Sequence, residues 1–354
     1  MTKIRWAKVA LLVPLCCGAQ SWQPQTSTTT ASLRGISAVG ETVAWASGTR
    51  GTYLVTTDGG ATWRAAKVPG AETLDFRGVQ AIDRNTAWLM SIGMGPLSRV
   101  YKTTDSGATW KLLFTNPDAQ GFFDCLRFWD AQHGILAGDS VDGALAVFTT
   151  DDGGEHWQRV QMPAALAGEG EFAASNSSIA LGERGEAWIG TGGPNGARVY
   201  HLRQTSVTVA DTKVRSGAAS TGIFSVAFAD SRRGMVVGGD YTKPADAAAN
   251  IAITSDGGAT WTAPPAGPAG FRSAVVYLPK HKAWLVTGTS GSDISFDDGR
   301  TWKTFDTGNY NALGFVGDEG WAVGPNGRVA RLGNAGGLAA GEPGRRQDHR
   351  RYQN

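Results

Sequence analysis

Three arginines recur at one place in a repeated segment. Arg34 stands in Leu33-Arg34-Gly35-Ile36, Arg77 in Phe76-Arg77-Gly78-Val79 and Arg272 in Phe271-Arg272-Ser273-Ala274. Asp124, Ser177, Phe224 and Tyr310 take that place in four further copies. A guanidinium presents a planar fork of N–H donors that matches a carboxylate. Three such groups and a tyrosine on one rim would bind an anion or an acidic polypeptide segment. The alternative is that each arginine covers its own strand end or pairs with a neighbouring acid. A second candidate is the long segment Gly239-Asp240-Tyr241-Thr242-Lys243-Pro244-Ala245-Asp246, because long loops on rigid scaffolds often carry function. The alternative there is a tolerated surface insertion.

Other chemistry finds less support. A carboxyl pair for glycoside hydrolysis could be drawn from Asp124, Glu169, Glu171 and Asp240, and the separation of the two groups would decide it. The five histidines, His133, His156, His201, His281 and His349, lack metal-ligand spacing. Gly192-Gly193-Pro194-Asn195-Gly196 and Gly324-Pro325-Asn326-Gly327 read as turns between strands, not as phosphate loops. The expectation is therefore no cofactor, no metal and no catalytic residue.

The elements that must position these residues are marked by five copies of a short box. Each runs from a hydroxyl residue through aspartate and glycine to tryptophan: Asp58 to Trp63, Asp105 to Trp110, Asp152 to Trp157, Asp256 to Trp261 and Asp297 to Trp302. The aspartates lie 47, 47, 104 and 41 residues apart, so the long gap is two periods with one box missing. A strand-rich period of 40–50 residues means a radial β-repeat. The aspartate can accept backbone N–H bonds and close a hairpin turn. The glycine permits positive φ, and the tryptophan carries apolar area into the gap between sheets. The boxes thus read as scaffold.

Seven copies of the inner-strand segment predict an all-β, seven-bladed propeller over residues 20–333. Blade four keeps its strands without a box. Blade seven stops after Arg328-Val329-Ala330-Arg331-Leu332. Trp22-Gln23-Pro24-Gln25 precedes Leu33 much as Trp63 precedes Phe76, so the N-terminal segment is predicted to supply the outer strand of blade seven. That closes the ring and removes an open sheet edge. Inner-strand starts should crowd one mouth of the central channel, with the boxes on the opposite face.

The 354 residues carry a net charge of +2 and 49 glycines. The charge excess comes from the two ends, and no basic patch points to nucleic acid. Lys3, Arg5 and Lys8, the apolar run Val9–Cys17 and the small residues before Gln20 read as an export signal over residues 1–19, with a periplasmic or secreted destination. An uncleaved anchor is the alternative, and a lipid-modified Cys16 or Cys17 lacks the small residues such a site wants. After cleavage no membrane span remains, and Cys125 is left as a lone buried filler. Residues 334–354, rich in Gly, Ala, Arg and Gln, are expected to be disordered. The mature protein is expected to be a monomer.

Taken together, the boxes and segments such as Gly320-Trp321-Ala322-Val323-Gly324-Pro325-Asn326-Gly327 and Val100-Tyr101-Lys102-Thr103-Thr104-Asp105 resemble the photosystem II assembly and stability factor branch of the Asp-box (BNR repeat) propellers. The resemblance covers residues 22–332. It implies a seven-bladed exported propeller that binds an assembling membrane protein. More distantly the boxes resemble those of bacterial sialidases, which would imply an arginine triad, a Tyr–Glu nucleophile pair and an acid/base aspartate. Here the sialidase Phe-Arg-Ile-Pro motif is absent, Tyr310-Asn311-Ala312-Leu313 matches the tyrosine segment loosely, and no glutamate partner can be placed. A protein-binding factor is thus the leading reading. A sialidase-like glycosidase, or an accessory module for a small ligand such as a carbohydrate, is the alternative.

Overall fold

The computed structural model describes residues 20–204 and 206–334. The expected leader with Cys16 and Cys17, and the tail beyond Asn334, lie outside those residues. Seven separate antiparallel sheets are arranged as the blades of a β-propeller. Blades one to six use consecutive strands, innermost first. Blade one runs Leu33–Ala38, Ala44–Gly48, Thr52–Thr56 and Arg64–Lys67. Blade five has three strands, Thr221–Phe228, Gly234–Asp240 and Ile251–Thr254, and its outer edge is reduced to a bridge between Ile253 and Thr262.

Blade seven combines Ala312–Val316, Glu319–Val323 and Val329–Asn334 with the N-terminal strand Gln20–Gln25. Gln20 pairs with Asn334 and Gln25 with Val329. Trp22 is buried among Tyr310, Phe305 and Phe315, and its indole donates to Ser292 Oγ at 3.0 Å. Gln25 Oε1 accepts from two indoles, Trp63 Nε1 at 2.9 Å in blade one and Trp321 Nε1 at 3.1 Å in blade seven. The closing strand therefore binds both blades it joins.

Every box makes the same turn. In the first, Asp58 Oδ1 accepts from Thr62 N and Thr56 Oγ1, both at 2.9 Å, and Oδ2 accepts from Thr62 Oγ1 at 2.6 Å. Gly59 and Gly60 take φ of 74° and 87°, which L side chains resist. These hydrogen bonds hold the Asp58 carboxyl down at about 2. In blade three His156 replaces the usual threonine, and Nδ1 pairs with Asp152 Oδ2 at 2.6 Å. Trp63 and Trp261 are buried, while Trp110, Trp157 and Trp302 are half-buried.

A box packs on the second strand of the preceding blade. Trp88 of blade two donates to Gly153 O in the blade-three box, and Trp188 of blade four donates to Gly257 O in the blade-five box, both at 2.9 Å. Trp45 and Trp110 meet edge to face at 6.1 Å, as do Trp321 and Trp63 at 6.3 Å. Blade three carries Ile135 where these blades carry tryptophan, and the blade after it is the one without a box. Blade five likewise carries Met235 there, yet the box of blade six is kept and its Gly299 lies against Met235, so a box does not require the indole.

Candidate functional site at the channel mouth

The innermost strands bring a specific residue to the mouth by a β-bulge. Pairing of inner and second strands skips one residue in four blades: Arg34, Arg77, Asp124 and Phe224. A bulge re-aims a side chain and bends the strand. Here it turns those four side chains to a pocket of about 510 Å³ whose lining also includes Asp139, Glu171, Phe172 and Tyr241.

Blades six and seven show where the sequence alignment slips. The backbone N–H of Leu33 donates to Gly324 O of the preceding blade; Arg272 donates in the same way to Gly238 O and Tyr310 to Gly288 O. Arg272 and Tyr310 thus match Leu33, not Arg34. Ser273 and Asn311 are the true counterparts of Arg34, and both line the mouth. A one-residue slip moves a side chain to the other face of a strand. Arg272 is fully buried, with Nη2 at 2.5 Å and Nε at 2.7 Å from Asp293 Oδ2. Tyr310 is buried against Trp22 at a ring separation of 5.5 Å. Neither belongs to the mouth.

The blade-five loop divides in the same way. Tyr241 is 52 % exposed and meets Phe224 edge to face at 6.1 Å. Asp240 is buried and accepts from Thr242 N at 3.0 Å and Thr242 Oγ1 at 2.7 Å, which folds the loop. Glu169 is likewise committed: it is paired to Arg198 and accepts from Thr191 Oγ1 at 2.6 Å and Leu166 N at 2.7 Å.

Charge at the mouth is mixed. Arg77 is held by Asp75 at 3.1 Å and donates to Ala173 O at 3.0 Å. Arg34 has a buried Nε without a partner among the described residues. Burial and the charge of Arg77 bring its guanidinium down to about 10. Beside them lie three carboxyls pushed upward by burial. Asp139 rises to about 6, and Glu171 rises to about 8 with help from the Asp139 charge. Asp124 lies well above the usual range through burial and then the charges of Asp139 and Glu171. Asp124 Oδ2 and Glu171 Oε1 are buried without partners among the described residues. Glu171 Oε2 accepts from Ser178 at 2.8 Å, and its backbone N–H donates to Asp139 Oδ1 at 3.2 Å. At neutral pH part of this cluster keeps its protons.

Glu171 and Phe172 arrive on the segment between Arg159 and Ile179, which leaves the regular blade pattern and reaches the mouth. Its unusual length in a repeat was the available signal. Asp139 has no such signal, because the bulged second strand of blade three alone aims it inward. The sialidase-like constellation is not assembled among the described residues: Arg272 is engaged by Asp293, and Tyr310 packs in a hydrophobic core. No group of His, Cys, Asp and Glu among the described residues could hold a metal ion.

No family model matches the chain. No curated protein matches it either. Solved structures do. The structure titled "YCF48 bound to D1 peptide" aligns with a TM-score of 0.64 at 18% identity, covering 88% of this chain and 96% of that one. YCF48 from Cyanidioschyzon merolae aligns with a TM-score of 0.63 at 18% identity, covering 88% and 98%. At this identity the likeness establishes the seven-bladed fold. Among the described residues no helix is long and apolar enough to cross a membrane.

Proposed function

We propose that this propeller is an exported protein-binding factor that takes an acidic segment of a partner polypeptide at the channel mouth, in support of assembly or stability of a membrane complex. The observation that carries the reading is the mouth itself. Among the described residues Arg34 has an unpartnered Nε beside Arg77, and Phe172, Phe224 and Tyr241 line the same pocket. A guanidinium beside aromatic rings suits a carboxylate flanked by apolar side chains. Two likenesses lend support. The repeats resemble the photosystem II assembly and stability factors, and one structural neighbour was solved with a peptide bound. Export rests on the basic and apolar pattern of residues 1–19.

The test is a crosslinked pull-down of the mature protein from its native envelope fraction, beside the Arg34→Gln/Arg77→Gln double variant. Wild type should retain a partner whose yield falls with added salt, and the double variant should lose it while its Tm stays close. Equal capture by both proteins would exclude the mouth.

Glycoside hydrolysis is the second reading, favoured by one observation: raised carboxyl pKa values mark catalytic acids. Turnover of sialyl or other glycosides, lost in Glu171→Gln, would replace the binding reading with it.

A further inference from the structure

Below the mouth the channel holds a second chamber of about 450 Å³, lined by Arg127. The two are separated by hydrogen bonds. Ser175 Oγ lies 2.6 Å from Ser177 Oγ and donates to Ser273 O at 2.7 Å, and Ser177 Oγ lies 2.7 Å from Ser225 Oγ. Asn176 reaches the neighbouring inner strands, donating to Val79 O and Leu126 O at 3.1 and 3.0 Å.

Arg127 occupies the place on its inner strand that faces Ile135 on the second. Its equivalents, read from the same pairing, are Ser37, Gln80, Ala180, Ala227, Tyr277 and Gly314. All of them line the lower chamber, so one ring of positions encircles it. Arg127 is the single charged member of that ring. Its Nε is buried and has no partner among the described residues. Burial lowers its pKa, the thiol of Cys125 opposes that, and no carboxylate among the described residues takes part. The contrast is with Arg272, fully buried, whose charge is met by Asp293, whereas Arg127 is half-buried and faces the chamber. A half-buried cation with an unpartnered N–H and no counter-charge beside it among the described residues is partly desolvated, and a bound anion would offset that cost. Ser37, Gln80 and Tyr277 add neutral polar groups to the wall.

We propose that the lower channel is an oxyanion site, separate from the mouth, with Arg127 as its cationic ligand. The oxyanion has two sources, a free inorganic ion or the carboxylate of a glutamate side chain inserted from a partner. The same guanidinium fork serves both.

The experiment is thermal unfolding of the mature protein at constant ionic strength, titrated with inorganic phosphate in one arm and with a short alanine peptide bearing one glutamate in the other. A saturable rise in Tm with phosphate identifies a free ion, and a rise with the peptide alone identifies a side chain. Either rise should weaken at least tenfold in apparent affinity in Arg127→Gln and persist in Arg34→Gln/Arg77→Gln. No rise in either arm, or a rise that Arg127→Gln leaves intact, overturns the proposal. Should Arg127→Gln fail to fold, a selenate-soaked crystal of the wild type decides: selenate beside Arg127 supports the site, and selenate at Arg34 and Arg77 alone refutes it. Loss of partner capture in the mouth variant with the Arg127 response intact would separate the two sites.

Discussion

Arg272 and Asp293 form an ion pair with both side chains fully inaccessible to solvent. Asp293 also accepts from Thr304 Oγ1 at 2.5 Å and Ala269 N at 3.2 Å, and Arg272 Nη1 donates to Phe271 O at 2.8 Å and to Ser290 Oγ at 2.9 Å. Each charge is therefore satisfied within blade six and its neighbours. Such a pair specifies one arrangement, while its net worth against an apolar pair is small.

Arg272→Met should destabilise the ring by about 3–5 kcal/mol, because Asp293 is left as an uncompensated buried charge. The double variant Arg272→Met/Asp293→Leu should recover most of that loss. Denaturant unfolding of the three proteins checks it. Partner binding per folded molecule should stay unchanged in all of them; a specific loss would return Arg272 to the mouth.

Gln25→Ala should cost about 1–3 kcal/mol, since it leaves the indoles of Trp63 and Trp321 without their shared acceptor. Deleting residues 20–25 should go further, exposing the edge of Val329–Asn334 and promoting aggregation. Unfolding midpoint and light scattering are the readouts. An unchanged midpoint after the deletion would exclude closure by this strand.

Stability should fall as pH rises through the neutral range, and Glu171 should be a main cause. Its carboxyl is raised from an ordinary 4.5 to about 8, so the folded protein holds that proton more tightly than the unfolded chain. The resulting stability is present in full below about pH 4.5 and lost as pH climbs through 8. Asp139, raised to about 6, adds a loss at lower pH. Glu171→Gln should flatten the profile and, at pH 8, exceed wild type by roughly 1–3 kcal/mol. Denaturant unfolding at pH 5 and pH 8 checks both sign and size. A wild-type profile that rises from pH 5 to pH 8 would contradict the assignment.

The blades were legible because the box repeats with its aspartate, glycine and tryptophan, and each demands one kind of turn. The N-terminal strand was legible because Trp22 mimics Trp63 in its spacing to the next inner strand. The mouth was legible only in part. Phe271-Arg272-Ser273 looks like Phe76-Arg77-Gly78, yet the residue that a bulge displaces is chosen by the cross-strand register, and that register differs by one in blade six. Tyr310 and Asn311 in blade seven repeat the same slip. Asp139 and Arg127 were missed for a related reason. Asp139 sits at a bulge that no sequence motif announces and Arg127 in a regular inner strand, and the significance of each comes from the groups the ring brings near it.

The antiparallel partners Gln20 and Asn334 stand at opposite ends of the described chain. During synthesis the first strand must wait for the last one, and until then blade seven cannot exist. Six blades can form in order from local hairpins, each with short loops to close. The seventh requires a loop that spans nearly the whole propeller, the slowest class of contact to find. An unfinished ring would present two unpaired flanks at once, that of Gln20–Gln25 and that of the last completed blade. Maturation should therefore end in a single late step, with the incomplete ring as the species most open to proteolysis and to pairing with another copy.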